Sequence, residues 1–308
     1  MKRILTDTNT YLLKYRENIF SQFGEDGILS YIFRVIPEKN RWSVEFGAWD
    51  GIFASNICNF VKNQGWYGVY IEADKNRFRD LLKNHGNNDR VFCLNRFIDF
   101  KGPDKLDHIL NTIKELPKDF DLLSIDIDSC DYYVWQSLTK YHPKVVIIEF
   151  NPTIPVDYEY VQNKSFNIHD EHSLSSVTNL AKKKGYELIS CTDSNAIFIV
   201  KKYYPLFHIK NNSPKTLYKP FEKYYQTKIW QGGDGTLHLI GCQRLLWHNI
   251  LINENKIQVL PKYLRFFPGK THPLLQLFKK FYYQFPIISK VMNLIIAGKY
   301  QQAENEVK

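Results

Sequence analysis

The chain has 308 residues, with 41 Lys+Arg against 32 Asp+Glu for a formal +9, and 44% hydrophobic and 15% aromatic side chains. That composition excludes a disordered chain, and the length is enough for a sizeable core in one large domain or two small ones. The charge is divided: residues 1–205 hold 26 basic and 27 acidic side chains, whereas residues 206–308 hold 15 and 5, so the positive excess belongs to the last third.

The N-terminal run Met1–Tyr15 lacks an apolar stretch of signal-peptide length, and nothing approaches the roughly 18–20 apolar residues of a membrane span. Cys58, Cys93, Cys130, Cys191 and Cys242 form no CxxC pair. That spacing fits reduced thiols in a cytoplasmic setting and opposes a disulfide framework or a thiolate zinc site. In chain order, apolar runs predict strands at Trp42–Phe46, Gly68–Glu72, Val91–Phe97, Leu122–Asp126 and Val145–Phe150. Helical spacing marks Lys105–Leu116 and Ser173–Lys184, the latter stopped by Gly185. Tyr186–Thr192 and Ala196–Lys201 flank a turn at Asp193-Ser194-Asn195 and predict a hairpin. Strands joined by helical crossovers imply an α/β doubly wound, mostly parallel sheet with an antiparallel C-terminal hairpin. Beyond residue 205 the rhythm changes. Gly232-Gly233-Asp234-Gly235 predicts a tight turn, Thr236–Ile240 and Gln258–Leu260 predict strands, and Pro273–Ala297 predicts a helix broken at Pro286. The expected domains are 1–205 and a basic, aromatic-rich extension over 206–308.

Three features carry chemistry. Glu45-Phe46-Gly47-Ala48-Trp49-Asp50-Gly51 closes the first strand, where an acid followed by Gly two and six residues on brings backbone against a ligand. Glu72 ends the second strand 21 residues after Gly51, placed to accept both hydroxyls of a ribose, or else to stand as a solvated turn residue. Then Ser124-Ile125-Asp126-Ile127-Asp128-Ser129-Cys130-Asp131 ends the fourth strand, with Glu149, Asn151 and Pro152 ending the fifth. Alternation sends Asp126 and Asp128 to one side. Carboxylates gathered there need a metal, a proton or a cation to balance them, while Asp131 has the plainer alternative of capping the next helix.

The ordered blocks Ser21-Gln22-Phe23-Gly24-Glu25-Asp26-Gly27, Glu45–Ala48, Tyr70-Ile71-Glu72, Ser124–Trp135 and Ile148–Asn151, with Ser173-Leu174 and Gly185–Leu188, resemble the FkbM-like family of S-adenosylmethionine-dependent methyltransferases. The resemblance covers residues 21–202. It implies a Rossmann-like class I methyltransferase fold and O-methylation of a hydroxyl on a sugar or natural product. It also implies that Gln22, Glu45, Gly47, Asp50, Gly51, Glu72 and Asp126 hold S-adenosylmethionine, with Asp126 near the reacting methyl. Ser129 stands where the family pattern expects glycine, and Trp49 must point away from the cofactor or close over it.

A neutral hydroxyl needs its proton removed by a base or by a metal. Asp126, Asp128 and His169 are the candidate catalytic residues, and Asp126, Asp128 and Glu149 offer oxygen ligands suited to Mg²⁺. The expected acceptor is a glycan, sugar nucleotide or lipid-linked saccharide; a non-catalytic cofactor-binding or membrane-surface scaffold is the alternative. Trp247 and His248 fit a sugar contact or a core tryptophan beside a surface histidine. Between residues 255 and 303 stand eight Lys/Arg, nine aromatics and no acid. That mixture suits an anionic inner membrane surface, a polyanionic acceptor, or a packed helix with a solvated basic face or homo-oligomer contact. Nucleic acid is the weaker partner, since no binding motif for it is present.

Overall fold

The computed structural model describes residues 8–37, 39–218 and 222–259, and the single residues 262, 265, 267, 273 and 277. The chain forms two compact units, Met1–Gln226 and Thr227–Lys308.

The first unit is built on seven strands: β1 Trp42–Phe46, β2 Tyr67–Glu72, β3 Val91–Asn95, β4 Leu122–Ile125, β5 Val145–Glu149, β6 Tyr186–Cys191 and β7 Asn195–Val200. Their order is β3-β2-β1-β4-β5-β7-β6, and β7 alone runs against the rest. The predicted strands recur within about two residues because continuous apolar runs are what a sheet covered on both faces requires. Alternation splits them between two cores. Val69, Ile71, Leu123 and Ile125 face one layer with Trp135 and Leu174; Tyr70, Leu122, Val145 and Ile147 face the other with Ile28, Ile32 and Phe60. The covering helices are α1 Glu25–Val35, α2 Cys58–Gln64, α3 Lys75–His85, α4 Leu106–Leu110, α5 Asp131–Ser137 and α6 Leu174–Lys183.

The helix expected over Lys105–Leu116 ends early, at Leu110. Ile113 and Leu116 are still buried, but through turns, with Ile113 N–H donating to the Leu110 carbonyl at 3.1 Å. Thr112 Oγ1 donates to the Ile109 carbonyl at 2.7 Å, the local competition that shortens helices at threonine. Ser173 caps α6 by accepting from Ser176 N–H. Residues 206–226 belong to the sheet unit: Leu217 and Tyr218 are buried in its core, and the Tyr218 hydroxyl donates to the Asp193 carbonyl at 2.9 Å.

In the second unit β8 Thr227–Gln231 and β9 Leu237–Gly241 form an antiparallel hairpin. Its turn is closed by Gly235 N–H on the Gly232 carbonyl, 2.9 Å, with Asp234 accepting from Thr236. Gln258 is not in a strand; it follows a one-turn helix, Glu254–Ile257, and its amide both accepts from and donates to the Leu237 backbone. Trp247 is exposed. The helix expected over Pro273–Ala297 and most of the 255–303 stretch lie outside the described residues. Among the described residues no helix is long and apolar enough to cross a membrane.

Candidate functional site

A cleft of about 380 Å³ opens at the carboxyl ends of the parallel strands, where β1 lies between β2 and β4. There the winding reverses direction and the connections leave on opposite sides, so a crevice is a geometric consequence of the strand order. The segments after β1, β2, β3 and β4 line it, with Glu149, Gln22, Phe166 and His169.

On the β1–β2 side the backbone comes first. Gly47 has φ +71°, and a Cβ there would lie 1.6 Å from the Asp126 carbonyl oxygen. Glycine is therefore required for the loop after β1 to pass the end of β4. Glu72 is 5% exposed, and its two oxygens accept from Trp49 N–H at 2.8 Å and Asp74 N–H at 2.7 Å. The carboxylate is thus held in one orientation with lone pairs remaining on each oxygen. Trp49 lines the cleft, 46% exposed, with the Arg77 guanidinium 3.8 Å over its ring.

Three neighbouring residues have other duties. Glu45 is 4% exposed and accepts from Ser55 Oγ at 2.5 Å and Asn56 N–H at 2.8 Å, fixing the second half of the loop from the strand that carries it. Burial pushes its carboxyl up to about 7. Asp50 does not line the cleft; its Oδ1 accepts from Ile52 and Phe53 N–H. Gly51 also lies outside the lining, with φ +72° and a Cβ position 2.5 Å from Leu81 Cδ1, so both the left-handed turn and the packing against α3 favour glycine.

On the β4–β5 side Asp126, Asp128 and Glu149 converge, each offering an oxygen within 4.8 Å of the others. Asp126 and Glu149 are near enough that the ionisation of each bears on the other. Burial, and then the charge of Glu149, raises Asp126 well above the usual carboxylate range; burial raises Glu149 to about 7. Asp128 arrives differently than alternation implies. β4 ends at Ile125, and Asp128 is an exposed residue with φ +56°. The left-handed residue of this loop is therefore Asp128, and Ser129 is spent on a hydrogen bond to the Ile168 carbonyl, 2.7 Å. Asp131 opens α5 and turns back to accept from Ile127 and Ser129 N–H at 2.9 and 3.0 Å. Burial raises it to about 6.

His169 donates from Nδ1 to the Asp128 carbonyl at 2.8 Å, or accepts nothing there, since a carbonyl has no proton to give. The residue lines the cleft. Gln162, 1% exposed, binds this segment together. Its Nε2 donates to Ser129 Oγ at 3.1 Å and to the Ser165 and Ile168 carbonyls, while its Oε1 accepts from Glu171 N–H. Next to it, burial and the charge of Glu149 raise Glu171 to about 9, and burial lowers His172 to about 3.

Gln22 reaches the cleft from the N-terminal loop. Asp26 Oδ2 accepts from the Ile19, Phe20 and Ser21 N–H groups at 2.7–2.8 Å, and Glu25 accepts from Phe23 N–H, Thr192 Oγ1 and Asn195 Nδ2. The two acids at the start of α1 thereby fix the loop that presents Gln22.

The structure thus brings Gln22, Glu45, Gly47, Glu72, Asp126, Asp128, Glu149 and His169 to one cleft and leaves Asp50 and Gly51 outside its lining. Sequence reasoning missed Arg77, Arg96, Phe97, Phe166 and Gln162. Phe97 was detectable: it stands two residues beyond β3, at the same sheet edge as Glu72. Arg77 on α3 and Phe166 in an irregular segment left no local signal.

No protein-family model matches the chain, and neither does the sequence of any curated protein. Among solved structures it is similar to the CMeT domain of the citrinin polyketide synthase, with a TM-score of 0.39 and 10% identity over 57% of this chain and 51% of that one. It is also similar to an S-adenosylmethionine-dependent methyltransferase from Aquifex aeolicus, with a TM-score of 0.35 and 10% identity over 58% and 90%. A third likeness is to the glycopeptide N-methyltransferase MtfA complexed with S-adenosylmethionine, with a TM-score of 0.36 and 9% identity over 59% and 94%. The chain spans about half the length of the first of these. Its strand order, with β7 reversed between β5 and β6, is that of the Rossmann-like class I methyltransferase fold.

Proposed function

We propose that the protein is an FkbM-like S-adenosylmethionine-dependent O-methyltransferase acting on a hydroxyl of a glycan, sugar nucleotide or lipid-linked saccharide. The observation that carries the reading is one cleft with an oriented carboxylate, Glu72, on one side and the converging carboxyls of Asp126, Asp128 and Glu149 on the other. The volume, about 380 Å³, is that of a small-ligand site. Glu72 would hold the ribose diol through its remaining lone pairs, with Trp49 and Gln22 at the wall. When bound, the cofactor supplies a methyl group already activated by its sulfonium. The residues then have to align the acceptor oxygen, exclude water and take one proton.

Asp126 takes that proton, and Glu149 shares it. Asp126, Asp128 and Glu149 are also a hard-oxygen set that would hold Mg²⁺, whose contribution would be to lower the acceptor hydroxyl's pKa. Turnover that survives dialysis against EDTA assigns the proton to the carboxyl pair alone. His169 would stand by as a hydrogen-bonding partner of the acceptor. The basic residues beyond 205 would draw an anionic acceptor or surface toward the protein.

The test is calorimetric titration with S-adenosylhomocysteine, followed by methyl transfer to candidate glycans. Binding is expected for the native chain and for Asp126→Ala, with transfer by Asp126→Ala reduced at least about 100-fold. Absence of binding near millimolar ligand overturns the methyltransferase reading; binding without transfer to any acceptor favours the scaffold alternative.

A further inference from the structure

A second depression, a groove of about 610 Å³, adjoins the cleft and shares Gln22, Phe53 and Ala54 with it. The rest of its wall is Ile19, Phe20, Ser21, Phe23 and Ile52, with no ionisable side chain. Ile19 and Phe53 are 46% and 61% exposed.

Six of the backbone N–H groups along its wall are already engaged. The N–H groups of Ile19, Phe20 and Ser21 donate to Asp26, that of Phe23 to Glu25, and those of Ile52 and Phe53 to Asp50. Ser21 Oγ accepts from Asp26 N–H. A sugar or phosphate lying here would give up water for donors already engaged, which costs free energy. A hydrocarbon chain loses nothing and removes exposed apolar surface from water. The neighbouring cleft is the opposite, with Glu72, Asp126, Asp128, Glu149, Arg77 and Arg96.

We infer that the groove holds an alkyl or acyl chain carried by the acceptor, lying past Gln22 while the polar part of the acceptor occupies the cleft. The groove is continuous with the cleft through three shared residues, so one molecule with a polar head and an apolar tail spans both. This narrows the acceptor class to lipid-linked or acylated saccharides, and it rests on the methyltransferase reading for what happens in the cleft.

The probes are n-alkyl β-D-glucopyranosides from ethyl to hexyl, below micellar concentration, titrated calorimetrically into the full chain with and without S-adenosylhomocysteine. Affinity is expected to rise about two- to four-fold per methylene. Ile19→Ser and Phe20→Ser should flatten that rise while leaving S-adenosylhomocysteine affinity within about two-fold, which also shows that the variants fold. Affinity independent of chain length overturns the inference. So does a chain-length dependence that both variants retain, because the chains then bind elsewhere on the molecule. Failure of S-adenosylhomocysteine to bind any of these proteins overturns the methyltransferase reading instead, and the chain-length series measured without it still reports on the groove.

Discussion

The Asp126–Glu149 pair decides how the site responds to pH. Two carboxyls this close lose their protons in steps that belong to the pair, and Glu149 is raised to about 7 by burial. Asp126 must be ionised to act as the base, and burial with the Glu149 charge holds it well above the usual carboxylate range, so turnover should rise with pH along an acid limb that lies above that range. Glu149→Gln removes the charge that, after burial, most raises Asp126. The acid limb of the rate profile should then move to lower pH, while S-adenosylhomocysteine affinity stays within a few-fold. A limb that stays in place takes Glu149 out of the pair. Asp126 and Glu149 were legible in the sequence because each stands where a strand run ends, and parallel strands deliver such residues to one edge. Asp128 was legible as a member of the cluster but not by the route that brings it there. Strand alternation stops at Ile125, and a left-handed residue, not a pleat, places Asp128. Asp50 and Gly51 stand outside the cleft lining, and glycine and acid at a strand end serve ligand binding and loop closure alike.

Loops, more than strands, were hidden. The seven strands followed from apolar runs because burial on both faces leaves a signature in consecutive residues. Gln162 left none: its partners Ser129, Ser165, Ile168 and Glu171 are joined through irregular backbone with no period. Yet this side chain ties the 163–171 segment, which carries Phe166 and His169 into the cleft, to the loop after β4. Gln162→Leu keeps the volume and removes all of those bonds. It leaves the Glu171 N–H without its acceptor at about 1–3 kcal/mol, partly relieved where water can enter, while the Ile168 and Ser165 carbonyls keep Ser129 Oγ and the Ile168 N–H as donors. Chemical denaturation should show a loss of about 1–3 kcal/mol, and protease should cut within 163–171 sooner than in the native chain. Unchanged stability and protection would mean that the segment is held by its own turns. Gln162→Glu is the sharper companion, since it keeps the acceptor for Glu171 N–H but adds a charge beside residues already raised by Glu149, Asp131 and Asp128.

Charge sets the molecule-scale question. The sheet unit carries the cleft and is near-neutral over residues 1–205, whereas the excess cations stand beyond residue 205, four of them still within that unit. Residues 260–308 alone hold eight Lys/Arg against two Glu, among many aromatics. Lysines and arginines near an anionic bilayer contribute about 1 kcal/mol each, and that attraction decays over a Debye length of about 10 Å at 0.1 M salt. If the acceptor is presented at such a surface, the intact chain should sediment with phosphatidylserine-containing vesicles at about 0.1 M salt and be released several-fold at about 0.5 M. The place to truncate follows from the second unit. A cut after residue 254 removes Gln258, whose amide satisfies both backbone groups of Leu237 in β9, and so damages the hairpin along with the charge. A cut after residue 259 keeps that pair and removes the cations beyond it. The chain ending at 259 should therefore keep its S-adenosylhomocysteine affinity and lose at least about ten-fold in vesicle binding. Equal vesicle binding by both chains would place the anion-seeking surface within residues 1–259 and leave the basic stretch a different task; loss of binding that salt does not reverse would make the contact apolar, carried by the aromatic side chains rather than by the charge.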